Sequence, residues 1–168
     1  MSQELSQDGA KPPLEIERKF LVQGEPWRDW GEGTVYQQGY LSRGLHSTTR
    51  IRLAGERGVL TIKGKTVGIS RQEFEYEVPA EHARALLALC EGDIIMKRRW
   101  RWPHEGHIWE LDVFEGANEG LVVAEIELSA EDESFARPEW LGAEVSDDPR
   151  YTNGALSRAP WSAWGRSR

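Results

Sequence analysis

The alternation of apolar and charged residues begins at Leu14 and predicts a β-strand. Over Leu14–Val22 (LEIERKFLV) the even-numbered residues are apolar apart from Arg18. Side chains of a strand alternate between its two faces, so Glu15, Glu17 and Lys19 share the opposite face. A single strand of this kind is most simply the solvated edge of a sheet. The same alternation, however, returns further along the chain.

Seven further segments predict strands from their two-residue period and their β-branched and aromatic residues. They comprise residues 35–42, 48–53, 59–65, 69–78, 94–102, 108–115 and 121–128. Most neighbouring segments are joined by short turns rich in glycine or proline. About eight strands joined in this way indicate a mainly β protein, an antiparallel barrel or sandwich.

The period becomes helical over residues 79–91. Four residues recur there at helical spacing, namely Ala83, Leu86, Leu87 and Cys90. Proline opens this segment and Gly92 follows it, which are common residues at the two ends of a helix. Residues 151–157 predict a short closing helix. We therefore expect a few helices to flank the strands.

The signs of the charged faces are sorted by strand. A solvated face of an antiparallel sheet would mix lysine, glutamate, serine and threonine without order. This sorting instead predicts that the charged faces line a wet barrel interior. The strand-by-strand pairs are Glu15 and Glu17, Arg50 and Arg52, Lys63 and Lys65, Glu73 and Glu75, Lys97 and Arg99, Glu110 and Asp112, and Glu125 and Glu127.

Length and composition indicate one globular domain, since 168 residues with 39% hydrophobic content can bury a real core. Residues 1–13 are polar and end in Pro12-Pro13, so we expect a disordered leader before a single domain over 14–168. The cytoplasm is the default compartment, because neither a spanning run nor a hydrophobic signal region occurs. With Cys90 as its sole cysteine, the chain has no internal disulfide and no cysteine-based metal cage.

A charged interior is costly unless its charges are compensated or have a function. Rows of arginine and lysine bind phosphate oxygens, and carboxylate clusters bind Mg²⁺ or Mn²⁺. The presence of basic rows and carboxylate clusters in one cavity indicates a highly charged anion that binds together with a divalent metal. Polyphosphate fits this description best. The rows hold no histidine, cysteine or serine arrangement for nucleophilic catalysis, which leaves the chemistry to metal and water. A net charge of −7 argues against a general binder of nucleic acid or membrane surfaces.

The signature Glu15-x-Glu17-x-Lys19, together with the ordered rows, resembles the CYTH superfamily, also called triphosphate tunnel metalloenzymes. The resemblance covers Leu14 to about Leu156, and the segment 148–153 (DPRYTN) is similar to that of small bacterial members. It implies a closed eight-stranded antiparallel β-barrel, a tunnel with a charged interior that binds a small-molecule triphosphate. Members of the family hydrolyse inorganic, nucleoside or thiamine triphosphate or RNA 5′-triphosphates, and some cyclise ATP.

The resemblance also assigns roles to individual residues. Those implied to bind substrate are Lys19, Arg50, Arg52, Lys63, Lys97 and Arg99, with the acidic Glu73 and Glu75. Those implied to bind Mg²⁺ or Mn²⁺ are Glu15, Glu17, Asp112, Glu125 and Glu127. The catalytic set is Glu15, Glu17, Lys19 and Lys97. At the ends of the rows, a substrate role and a solvated ion pair stay equally open for Lys65, Glu77, Arg101 and Glu110.

The leading hypothesis is hydrolysis of inorganic triphosphate to pyrophosphate and phosphate by a metal-activated water. Alternatives are a nucleoside or thiamine triphosphatase, a class IV-type adenylate cyclase, and a non-catalytic module that binds polyphosphate or nucleotide. We expect no nucleic-acid or membrane partner. The sequence leaves the oligomeric state open, with a homodimer as one option.

Overall fold

The computed structural model describes residues 13–165. The predicted leader, residues 1–13, therefore lies outside the described residues apart from Pro13. Within this range the strands are β1 Leu14–Val22, β2 Thr34–Arg43, β3 Ser47–Ala54, β4 Arg57–Gly64, β5 Ser70–Val78, β6 Glu91–His104, β7 His107–Phe114, β8 Val122–Glu127 and β9 Leu141–Glu144. The α-helices are α1 Ala80–Leu87 and α2 Asn153–Leu156. No helix in this part of the chain is both long and apolar enough to cross a membrane.

Eight of the strands close into an antiparallel barrel. Their order around it is β5-β4-β3-β2-β6-β7-β8-β1, and β1 pairs again with β5. The predicted closed eight-stranded fold is thus confirmed. Most pairs of neighbouring strands are also consecutive in the sequence. The exceptions are the pairs β2–β6, β1–β8 and β1–β5.

Strand β1 divides one of its edges between two partners. Its first residues, Leu14–Ile16, pair with β5, whereas Phe20 and Val22 lie beside β9. Arg18 fixes β9 there by donating two hydrogen bonds to Glu144, of 2.8 and 2.6 Å. The sequence did not predict β9, because it spans only four residues (LGAE) and has too little alternation to be recognised.

The apolar faces of the strands point outward and are covered by other segments. Helix α1 packs Ala83 against Ile51 and Leu53. On the opposite wall, Phe135 and Trp140 pack on a cluster that contains the fully buried Phe20 and Trp109. The barrel is therefore apolar outside and charged inside, as the sorted signs predicted.

One end of the interior is apolar. Ile95, Phe114 and Val123 lie two residues along their strands from Lys97, Asp112 and Glu125, so they share the inner face. Leu156 of α2 completes this cluster, which Tyr151, Trp161 and Trp164 cover. Residues 149–164 thus close this end of the barrel.

Two predicted boundaries differ from the structure. Helix α1 ends at Leu87 rather than at 91, because Glu91 already pairs with Tyr40 at the start of β6. The β6–β7 turn is also shorter than predicted and consists of Glu105 and Gly106, both with positive φ. Positive φ at both positions is typical of a tight two-residue hairpin.

The tryptophans of the 24–33 loop pack on the outside of β6. Trp30 stacks on Trp102, with ring centroids 5.2 Å apart, and Trp27 lies 6.2 Å from Trp100. Trp140 contacts Trp102 edge-on at 5.5 Å. These rings cover the barrel wall and lie away from its interior.

Candidate active site

The barrel encloses a cavity of about 1090 Å³, which we call the tunnel. This exceeds the usual range of small-molecule pockets, roughly 300–1,000 Å³. All the site residues implied by the family resemblance line it except Asp112, which is fully buried in its wall. The lining residues of that set are Glu15, Glu17, Lys19, Arg50, Arg52, Lys63, Glu73, Glu75, Lys97, Arg99, Glu125 and Glu127.

Asp112 holds two of the cations in place from the wall. It accepts a 2.6 Å hydrogen bond from Lys97 Nζ and two from Arg99, 2.6 Å from Nε and 2.7 Å from Nη2. Burial alone would raise the pKa of Asp112, but the positive charges of Arg99 and Lys97 outweigh it and keep that pKa below its usual value. Asp112 is therefore ionised and orients both cations.

Every predicted phosphate-binding cation has a carboxylate within 4 Å. Lys63 Nζ lies 2.8 Å from Glu15, Lys19 Nζ lies 3.3 Å from Glu125, and Arg50 and Arg52 lie 3.8 and 3.6 Å from Glu75. These pairs offset the cost of placing charges inside the barrel. They also keep the cations oriented toward the tunnel.

Glu17 and Glu127 are the exceptions among the predicted metal ligands. They lie directly opposite each other on β1 and β8, and among residues 13–165 neither forms an ion pair with a cation. Burial, reinforced by Glu125 and Glu15, raises the pKa of Glu17 to about 7. Burial and the charges of Glu15 and Glu73 also raise the pKa of Glu127. The charges of Lys63 and Lys19 offset this rise in pKa only in part for Glu17, so two facing carboxylates outside any ion pair are a fitting donor set for a cation.

The described residues contain no group of three acidic, histidine or cysteine side chains arranged to hold a metal ion. Magnesium does not require one, since it usually keeps several waters and binds through one or two carboxylates plus substrate phosphates. The donor oxygens present therefore suit a hard divalent cation that binds together with a phosphate chain.

Lys97 and Lys19 respond differently to burial. For Lys97, burial outweighs Asp112 and lowers the pKa to about 8. For Lys19, the charges of Glu125 and Glu17 outweigh burial and raise the pKa. Both side chains are mostly protonated at neutral pH and can donate charged hydrogen bonds to phosphate oxygens.

Several contributors were not predicted from the sequence. The ring of Tyr36 lies 5.1 to 5.9 Å from the charged groups of Arg52, Lys97 and Arg99, within reach of a cation–π contact. The carbonyl of Tyr151 accepts a 3.1 Å bond from Lys19 Nζ. Neither a tyrosine in a strand rich in aromatic residues nor a backbone carbonyl in the tail carries a charge, so the sorting of charges could not identify them. The position of Tyr36 in the two-residue period of β2 is the one sequence feature that could have placed it on the inner face.

The residues at the row ends separate into two groups. Glu110 accepts a 2.8 Å hydrogen bond from Arg99 and lines the tunnel, together with the exposed Arg101. Glu77 is exposed and pairs with Arg57 at the surface, and Lys65 is exposed beyond the end of β4. Glu110 and Arg101 therefore line the tunnel, whereas Glu77 and Lys65 lie outside its paired network.

A closed barrel with paired cations around its interior and two uncompensated carboxylates defines a class of protein that binds a polyanion together with a divalent cation. The model of the CYTH domain family matches residues 13–153. The chain therefore belongs to the CYTH domain family, and the resemblance seen in the sequence is confirmed.

Similar proteins cover nearly the whole described chain. An inorganic triphosphatase of Acetivibrio thermocellus is 45% identical over 148 residues, 88% of this chain and 95% of that protein. An inorganic triphosphatase of Nitrosomonas europaea is 37% identical over 152 residues, 85% of this chain and 96% of that protein. The crystal structure of an inorganic triphosphatase matches with a TM-score of 0.62 and 36% identity, over 85% of this chain and 93% of that one.

Proposed function

We propose that this protein is a metal-dependent inorganic triphosphatase, which hydrolyses tripolyphosphate to pyrophosphate and phosphate. The observation that carries the proposal is the ring of six tunnel cations, each oriented by a carboxylate, beside the uncompensated pair Glu17 and Glu127. The activity named for the two similar proteins supports the same substrate.

The six cations are proposed to bind the oxygens of the triphosphate chain. They are Lys19, Arg50, Arg52, Lys63, Lys97 and Arg99. Arginine can bind two phosphate oxygens with its planar fork, and lysine binds as a point charge. When the substrate enters, its oxygens take over part of the charge compensation from Glu15, Glu75 and Glu125. Glu73 and Glu75 then keep Lys63, Arg50 and Arg52 oriented from the outer side of the site.

Glu17 and Glu127 are the residues that we propose to hold a divalent cation, Mg²⁺ or Mn²⁺, with Glu15 and Glu125 beside them. Such a cation, when bound, neutralises phosphate oxygens and lowers the pKa of a coordinated water. We propose that Asp112 acts as a positioning residue rather than as a metal ligand, because both its oxygens already bind Lys97 and Arg99.

Lys19 and Lys97 are proposed to stabilise the charge that develops during phosphoryl transfer. Lys97 is 1% exposed and held by Asp112, so its charge is directed into the tunnel without a further change of conformation. Preorganised charge of this kind is commonly a large contribution to catalysis.

A panel of triphosphates tests the proposal. With Mg²⁺ or Mn²⁺ present, we expect the protein to release phosphate from inorganic triphosphate faster than from ATP or thiamine triphosphate, and to form no cyclic AMP. Efficient turnover of ATP with none of inorganic triphosphate would contradict the proposed substrate. Binding of triphosphate without turnover would instead favour a non-catalytic module.

A further inference from the structure

A second group of positive charge lies where β2 ends. Arg43 is the last residue of β2, and Arg158 follows α2; both line the tunnel. Arg43 lies opposite Thr48, and Tyr40 lies opposite Arg50, along the β2–β3 pair. The two arginines therefore extend the basic row of β3 to the end of the tunnel that the tail, residues 149–164, covers, and we call this position the arginine mouth.

The arginine mouth differs electrostatically from the rest of the tunnel. Among residues 13–165, neither Arg43 nor Arg158 has a carboxylate within 4 Å, whereas the six predicted phosphate-binding cations each have one. Burial, followed by the charge of Arg158, lowers the pKa of Arg43. The opposing effect of Glu91 is smaller than that of Arg158, so the two like charges favour an anion between them.

Arg43 is also held in a fixed orientation. Its guanidinium donates to Ser157 Oγ and lies over the ring of Tyr40, 4.7 Å from the centroid. Ser157 is itself fixed, because its carbonyl accepts a 3.0 Å bond from the backbone of Asp93. The buried Nε of Arg43 has no hydrogen-bond acceptor in the described residues. A guanidinium that is already held in one orientation loses less conformational entropy when it binds a ligand.

We propose that Arg43 and Arg158 form a second phosphate-binding site at the arginine mouth, where the tail borders the tunnel. Its ligand is a phosphate group, either free inorganic phosphate or the end of a linear chain longer than triphosphate. Arg158 lies beyond the residues that match the CYTH model, whereas Arg43 lies within them. The chain-end reading rests on the proposed triphosphatase function, since it adds one phosphate to that substrate.

The test compares Arg43→Gln, Arg158→Gln and the double variant with Arg84→Gln. Arg84 is a matched control, because it is an exposed arginine on α1 whose ion pair with Glu56 lies outside the tunnel. Two quantities are measured for each protein: the ratio of kcat/KM for inorganic tetraphosphate to that for triphosphate, and the inhibition constant of inorganic phosphate.

We expect the double variant to change at least one quantity by about tenfold, as for one lost charged hydrogen bond. A lower tetraphosphate ratio alone identifies the end of a longer chain as the ligand, and weaker phosphate inhibition alone identifies free phosphate. If neither quantity differs from that of Arg84→Gln, the site does not exist.

Folding and function are checked separately. Arg158 is exposed, so Arg158→Gln should fold even if loss of the Arg43–Ser157 contact destabilises the other variants; thermal melting identifies that case. If the wild type hydrolyses neither polyphosphate, the triphosphatase proposal fails. Calorimetric titration with tetraphosphate and with phosphate then tests the arginine mouth alone, and equal affinity in wild type and Arg158→Gln would overturn it.

Discussion

Glu17 and Glu127 face each other across the β1–β8 pair, where like charges destabilise a sheet. The ion-paired carboxylates around them, Glu15 and Glu125, add to the repulsion instead of relieving it. At the residue scale, the proposed cation site therefore lowers the stability of the protein as long as no metal is bound.

A pH dependence of metal binding follows from Glu17. Its carboxyl has a pKa of about 7 without metal, and only the ionised form can coordinate Mg²⁺. We expect Mg²⁺ affinity to increase as pH rises through 7, with release of a proton at pH 6 to 7. Calorimetry in buffers of different ionisation enthalpy measures this release.

Glu17→Gln is the matching variant. It should bind Mg²⁺ more weakly than the wild type does. It should also release fewer protons than the wild type when Mg²⁺ binds at the same pH. Because the folded pKa of Glu17 lies above the unfolded value near 4.5, its stabilising effect is present at low pH and is lost as pH rises through 7. Above pH 7, metal-free Glu17→Gln should thus melt higher than metal-free wild type. Equal proton release by the two proteins would contradict the role of Glu17.

At the scale of elements, α2 is a short helix with a large packing role. Leu156 is fully buried among Ile95, Phe114 and Val123, at the apolar end of the barrel. The same tail contacts both lysines. Its Tyr151 carbonyl accepts a hydrogen bond from Lys19 Nζ, and its Asn153 Oδ1 lies 3.5 Å from Lys97 Nζ. We therefore expect packing of the tail to be coupled to the orientation of Lys19 and Lys97, the two lysines proposed to be catalytic.

Leu156→Ala tests this coupling. Loss of a buried leucine costs about 2 to 5 kcal/mol, and we expect urea unfolding to give a decrease in that range. Activity under folding conditions should also fall, since the tail becomes less well fixed near Lys19 and Lys97. The exposed Leu89 is the control; Leu89→Ala should change neither quantity. A destabilised but fully active Leu156→Ala protein would show that the tail serves stability alone.

Elements with a clear two-residue period were predicted from the sequence, and irregular ones were not. The strands that carry the charged rows were found with ends within a few residues. Strand β9 was missed because its place is set by Arg18, and by Gly142 lying against the backbone of Leu21, a long-range contact that a local period does not contain.

For the whole molecule, the sorted charges predicted the charged barrel interior and most of the residues that line it, whereas Lys65 and Asp112 do not line it. They did not predict the pairing partners, because the register between β1 and β8 or between β6 and β7 depends on closure of the barrel. Asp112 appears in the sequence as one more acidic residue, and only the fold places it behind Lys97 and Arg99, away from the tunnel surface.

The net charge of −7 and the basic tunnel predict opposite effects of salt on kcat/KM for triphosphate. If local charge controls the approach of triphosphate, kcat/KM should fall severalfold between about 50 and about 300 mM NaCl, because salt screens attraction over roughly 10 Å. The measurement uses saturating Mg²⁺ at each concentration. A rate that rises with salt would indicate that the overall negative charge dominates.

The divided edge of β1 has a consequence for biosynthesis. This strand precedes the other strands of the barrel in the sequence, whereas its partners β8 and β9 follow β2 to β7. Contacts between such distant segments form slowly, and unpaired strands meanwhile stay open to wrong pairing. The two carboxylates that face each other across β1 and β8 therefore come together only after β2 to β7 have been synthesised.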